Sequence, residues 1–271
     1  MGGTDVIELV AGGARALVSP HRGGRLLSLS IGGDEVIADD LAPRGDAPDF
    51  FGGCFLMAPY AGVMPASSAQ RLGVPTGGGA GRQHGLVHSE AWDVTHATPT
   101  SVVLAYELVQ GWVGPAHLTQ RVDLAPTSLR IEAEYVPVDD APVALGFHPW
   151  FVRDLGRGAV RLSVEADVVL AADADGLIGR PDGPVPPGPW DHFFSGVRKA
   201  PVLRWPGLEL TIHSPTTTWI VYDEPVRALC VEPVTAPPSA VVSGESLARV
   251  SRPARLEMLL RWERIEEEIS S

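Results

Sequence analysis

With 271 residues, 45% of them hydrophobic and 20% charged, the chain has apolar surface enough for a large core, and its size fits one all-β unit over residues 1–271. A formal net charge of −12, with no cluster of Lys and Arg to offset it, argues against a phosphate backbone and so against nucleic acid as a partner. No stretch reads as a membrane span or an export leader, so the expected location is the cytoplasm, with no membrane partner.

In chain order, strands are expected at Val6–Val10 and Arg25–Ile31, followed by a long loop at Ser67–Gly81. Apolar residues recur at every second position at Val102, Leu104, Tyr106 and Leu108, the period of a strand with one buried face. Shorter strands follow at Leu118–Leu124, Leu129–Val136 and Val160–Val164; after a second loop at Pro181–Pro189 come Leu208–Ile212, Trp219–Tyr222 and Ala228–Val231. Over Arg255–Glu268, a helical face begun by Leu256, Leu259 and Leu260 would continue into Glu263 and Glu267. The alternation of Leu256, Met258, Leu260 and Trp262 therefore favours a strand. Thirty glycines and 25 prolines punctuate these segments, and closely spaced strands of this kind imply a sandwich or barrel. The two cysteines, Cys54 and Cys230, lie far apart in apolar stretches and are expected to be free and buried.

Three segments set ionisable groups beside residues that restrict the backbone: Gln83-His84-Gly85, Gly146-Phe147-His148-Pro149-Trp150-Phe151 and Cys230-Val231-Glu232-Pro233. Singly, each is commonplace at a turn or strand end. His84 and His88 have the spacing of a metal-binding pair on one helix face. Gly85 disfavours a helix there, and no Glu follows His84, so no metal is expected. Ser195-Gly196 lacks the Gly-x-Ser-x-Gly elbow of a nucleophilic hydrolase. His21, His96, His117, His192 and His213 have no evident chemical partner and are assigned to surface or packing.

The ordered set of motifs resembles the aldose 1-epimerase (mutarotase) family from about Arg15 to Glu263. Gly23-Gly24-Arg25-Leu26-Leu27-Ser28 is similar to its early Gly-Gly strand, and Pro59-Tyr60-Ala61-Gly62 to its Pro-Phe/Tyr-Ala segment. His84-Gly85, His148-Pro149-Trp150-Phe151, Asp191-His192-Phe193-Phe194 and Glu232-Pro233 then follow in the family's order, with Gly244-Glu245 echoing its late turn. The resemblance implies a large antiparallel β-sandwich, the galactose mutarotase-like supersandwich. It also implies interconversion of the α and β anomers of a free aldohexose such as glucose or galactose, without cofactor or metal. By the same resemblance Glu232 is the base at the anomeric hydroxyl and His148 the acid at the ring oxygen. His84 and Asp191 hold the sugar, and Trp150 offers it an apolar face.

The chemistry needs one base and one acid, since opening a hemiacetal removes one proton and delivers another. With ordinary values, Glu232 would be ionised at neutral pH, and carboxylate charge from Glu232 and Asp191 would favour the cationic form of His148. The family's Pro-Phe/Tyr-Ala-x-Arg segment supplies an arginine to substrate hydroxyls, and Val63 stands in its place here. Arg71 or Arg82 is expected to reach the same space. A phosphorylated sugar would require several cations to converge, for which Arg44, Arg71 and Arg82 are the candidates. The alternative to an enzyme is a carbohydrate-binding protein on the same fold.

Overall fold

A computed structural model describes residues 6–41, 50–74 and 82–266. Two large antiparallel sheets dominate it. The first has 11 strands, running in order Ile7–Ala11, Ala14–Ser19, Arg25–Ile31, Asp34–Ile37, Gly146–Val152, Ala228–Val234, Thr218–Tyr222, Asp191–Ser195, Val168–Ala172 and Ile178–Gly183. The short strand Cys54–Met57 attaches to both Gly146–Val152 and Arg25–Ile31. The second has eight, in order Arg161–Ser163, Val202–Trp205, Leu208–His213, Ala254–Arg264, Ser128–Pro137, Ala116–Ala125, Ser101–Leu108 and Asp93–Thr98.

Period-two sequence becomes period-two burial. Leu129, Ile131, Ala133 and Tyr135 are buried while the residues between them are partly exposed. The register sets Leu129 against Leu260, Ile131 against Met258 and Ala133 against Leu256, so the two strands project one continuous apolar face inward. Leu9, Leu29, Phe147, Phe151, Leu229 and Val231 of the first sheet complete the core from the other side. Gln120, buried among them, donates from Nε2 to the Gly24 carbonyl at 2.6 Å, while its Oε1 has no hydrogen-bond partner among the described residues.

The first sheet also buries part of its outer face. Phe55, Met57, Trp150, Leu170, Phe193, Ile220 and Cys230 form a second apolar cluster there, separate from the core between the sheets. A sheet apolar on both faces has a second surface to cover or to use.

Two expectations need correction. The loop expected at Ser67–Gly81 begins with the helix Ala66–Arg71, whose Ala-Ser-Ser-Ala-Gln-Arg sequence supports a turn and a half without any apolar period; residues 75–81 lie outside the described residues. The loop expected at Pro181–Pro189 is preceded and entered by the edge strand Ile178–Gly183, in which Pro181 is tolerated because an edge leaves one side of the backbone unpaired. The segment expected as a strand over Arg255–Glu268 corresponds to the strand Ala254–Arg264, and residues 267 and 268 lie outside the described residues.

Candidate active site

The strands Gly146–Val152 and Ala228–Val234 pair antiparallel with Gly146 opposite Val234 and Trp150 opposite Cys230. That register sets His148 and Glu232 opposite one another, and both side chains emerge on the outer face. Their nearest atoms, Nε2 and Oε1, are 3.4 Å apart, with the histidine 3% and the glutamate 1% exposed. Pairing extends the row sideways. Phe55 lies opposite His148, its ring stacked on the imidazole at 4.7 Å, while Ile220 lies opposite Glu232 and Phe193 opposite Ile220. One acid–base pair thus occupies the middle of an apolar row five strands wide.

His84 approaches from a loop. Its φ of 59° is the left-handed conformation, uncommon outside glycine, and Gly85 follows at 79°. The loop holds this geometry because the His84 amide donates to the Gly62 carbonyl at 2.8 Å and the Leu86 amide to the Ala58 carbonyl at 2.7 Å. The imidazole meets the edge of His148 at 4.8 Å between ring centres, and its Nδ1 lies 2.9 Å from Met57 Sδ. A Cβ at Gly85 would stand 2.1 Å from the Ala58 carbonyl oxygen. Gly85→Ala is therefore expected to lose at least about 2 kcal/mol of stability, read from the shift of the urea unfolding midpoint. A midpoint within error of the parent would show that the loop does not depend on this approach.

Burial governs the charges. It pushes Glu232 well above the usual carboxylate range, with the Asp191 charge adding in the same direction. It also pushes His148 well below the usual imidazole value, helped by the positive forms of His84 and Arg25. His84 is lowered to about 3, by burial first and by His88 second. The expected ion pair of glutamate and imidazolium is thus corrected: the carboxylate charge near His148 is outweighed by loss of water around both groups. The favoured state is neutral, with one proton on the pair. Adding a second proton or removing the first would leave a net charge in apolar surroundings. Glu232 Oε2 and His148 Nδ1, both buried, have no hydrogen-bond partner among the described residues.

The other expected site residues are placed less uniformly. Trp150 is buried, parallel to His148 at 5.2 Å and tilted against Phe51 at 5.0 Å, and its Nε1 donates to the Phe50 carbonyl at 3.0 Å. Asp191 is exposed at a cleft of about 450 Å³ that Leu170, Ile178, Asp182 and Phe193 also line. Arg71 is exposed at the end of its helix and donates to Ser68 Oγ at 3.1 Å. Arg82 pairs through its backbone with Met64, beside an exposed Val63; Arg44 lies outside the described residues. His84 and His88 are not on a helix.

Several neighbours of the pair went unmarked in the sequence. Phe50 meets the edge of His84 at 5.4 Å, so Phe50 and Phe51 together roof His84 and Trp150. Arg25, only 1% exposed, ties this roof down: its Nη1 donates to the carbonyls of Phe51 at 3.1 Å and Gly52 at 3.2 Å, while its guanidinium lies 4.7 Å over the Phe55 ring. The available signal was a charge opening a strand whose other residues are leucine, isoleucine and serine.

A two-sheet antiparallel sandwich with a histidine and a glutamate meeting on the outer face of one sheet is the galactose mutarotase-like fold. The aldose 1-epimerase family profile matches residues 5–182, and the chain belongs to that family. Solved structures agree in fold. A candidate aldose 1-epimerase from Escherichia coli K12 is 17% identical with a TM-score of 0.79, covering 97% of this chain and 100% of its own. An aldose epimerase homologue from C. elegans is 15% identical with a TM-score of 0.75, covering 97% and 100%. Galactose 1-epimerase from Lactobacillus acidophilus NCFM is 16% identical with a TM-score of 0.74, covering 96% and 95%. No curated protein matches the chain by sequence. Among the described residues, no helix is long and apolar enough to cross a membrane.

Proposed function

We propose that this protein is an aldose 1-epimerase that interconverts the α and β anomers of a free aldohexose such as glucose or galactose, with Glu232 and His148 exchanging protons with the sugar. The observation that carries this is the 3.4 Å meeting of the two side chains, each with a buried polar atom left unpaired among the described residues. A sugar whose O1 hydroxyl reaches Glu232 supplies hydrogen bonds that the carboxylate lacks in the apolar row. Those bonds favour the charged carboxylate and move the shared proton to His148. Glu232 then takes the O1 proton as His148 protonates the ring oxygen, and the ring opens to the aldehyde. Rotation about C1–C2 presents the other carbonyl face, and closure with the roles reversed returns both protons. The pair ends each cycle with the one proton it began with.

His84 and Asp191 are the proposed hydrogen-bonding partners of the sugar, His84 from beside His148 and Asp191 from the neighbouring row, two residues before Phe193 on its strand. A neutral sugar is preferred because a phosphorylated one would bring a dianion beside Glu232 and Asp191. The Phe50 and Phe51 rings must move aside for the sugar to reach the pair.

That roof and Val63 at the arginine position favour a second reading, a carbohydrate-binding protein without catalysis. Anomer-resolved NMR starting from pure α-glucose or α-galactose separates the two. Equilibration faster than the uncatalysed rate is expected; sugar binding with no acceleration would overturn the enzymatic reading in favour of the binder.

A further inference from the structure

Proton exchange leaves one reactive group beside the pair unused. Cys230 precedes Glu232 by two residues on the same strand face, is fully buried, and is not in a disulfide. Its Sγ, a ring nitrogen of His148 and a carboxylate oxygen of Glu232 all lie within 4.8 Å of one another. We propose that His148, Cys230 and Glu232 form a three-donor site for a soft divalent cation of the zinc type, and that the cation excludes the sugar when it occupies the site. The binding claim stands on geometry alone; the exclusion of sugar rests on the epimerase reading above.

Four lines of argument support it. Thiolate, imidazole and carboxylate at zinc bond lengths of about 2.0–2.3 Å in a tetrahedron lie roughly 3.3–3.6 Å apart, and the His148–Glu232 separation of 3.4 Å already has that spacing. Closing the sulfur onto the same point takes about an ångström of side-chain movement. The donor set is that of a zinc-type ion, because a thiolate selects against magnesium and calcium. Charge also balances: thiolate and carboxylate neutralise a dication, so the apolar row holds an ion cluster of zero net charge. Glu232 Oε2, buried and without a hydrogen-bond partner among the described residues, is an independent sign of unfilled polar capacity at this point. On binding, the metal–sulfur, metal–nitrogen and metal–oxygen bonds form as the thiol proton and the proton shared by the pair leave to solvent. A fourth position stays open, as in zinc sites with three protein ligands.

The test uses cobalt(II) as a spectroscopic probe on the full chain stripped with chelator. One equivalent is expected to give a thiolate-to-cobalt charge-transfer band in the near ultraviolet, together with the visible bands of a four-coordinate ion. Cys230→Ala should abolish the charge-transfer band. Cys54→Ala should retain it, since Cys54 packs in the core on the sheet's other face. Zinc titrated calorimetrically should bind at least about tenfold more weakly to Cys230→Ala, and to Glu232→Gln as well, with circular dichroism verifying the fold of each variant. No thiolate band in the parent, or a band that survives Cys230→Ala, overturns the site. Should Cys230→Ala fail to fold, Glu232→Gln decides: unchanged zinc affinity overturns the proposal. Zinc should also slow anomer exchange by the parent. A cobalt band in a protein that never accelerates mutarotation would sink the epimerase reading and leave the metal site standing.

Discussion

Glu232→Gln is expected to lower kcat/KM for anomer exchange by about 10²–10⁴-fold, and His148→Asn by a similar factor, because each removes one of the two proton carriers. The glutamine variant separates chemistry from structure. Burial already holds Glu232 in its neutral form, so an amide of the same shape leaves the folded protein little changed. The pH dependence of stability provides an internal check. A carboxyl whose folded value is raised binds a proton in the folded state that the unfolded chain gives up above its ordinary value of 4.5. Its contribution is complete below 4.5 and is lost as pH rises toward the elevated folded value. Measured against Glu232→Gln, the parent should therefore lose stability over that range, the difference between the two isolating this one group.

His148→Asn behaves differently, since it also removes a ring stacked between Phe55 and Trp150 and is expected to reduce stability. Exchange rates are measured by NMR at saturating and limiting sugar, so that a loss in kcat is distinguished from a loss in binding. The double variant should fall little below the worse single one, because acid and base act as one unit. An unchanged rate in either single variant removes that residue from the mechanism.

The sandwich was legible in the sequence wherever one strand face is buried and the other wet. Leu129, Ile131, Ala133 and Tyr135 alternate because they line the core, and their period is visible without coordinates. Asp93–Thr98 is exposed throughout and carries no such period, so nothing marked it. The strand Cys54–Met57 is buried on both faces, and its continuous apolar run, Cys-Phe-Leu-Met, concealed that Phe55 and Met57 face the pair while Cys54 and Leu56 face the core.

The site was legible in part, through the order of its motifs. Which of these residues meet is a matter of register, and register is set by long-range pairing such as Gly146 with Val234, which no local pattern encodes. The charge states were misjudged for a related reason. Ordinary pKa values describe groups in water, and the sequence does not show that Phe55, Trp150 and Ile220 would replace the water around His148 and Glu232.

His84→Asn should make the protein markedly less sensitive to acid. Asparagine tolerates the left-handed backbone at this position and does not titrate, so the substitution removes the imidazole's protonation while sparing the loop. In the unfolded chain a histidine takes up a proton near 6.5, whereas in the folded protein His84 resists it until about 3. Stability contributed by such a lowered group is present above the unfolded value and is lost as pH falls from 6.5 toward 3. At full extent the loss is about 5 kcal/mol, an upper bound because local opening relieves it. His148 acts with the same sign and Glu232 with the opposite one, so the parent's acid limb is their sum, while the difference between parent and His84→Asn isolates one group. Urea unfolding at pH 7 and pH 4 is the measurement, and the variant should lose several kcal/mol less than the parent between the two. Equal losses would mean that His84 takes its proton as readily folded as unfolded. The imidazole would then be reachable by water, and the dry environment that fixes the proton count of the neighbouring pair would not exist.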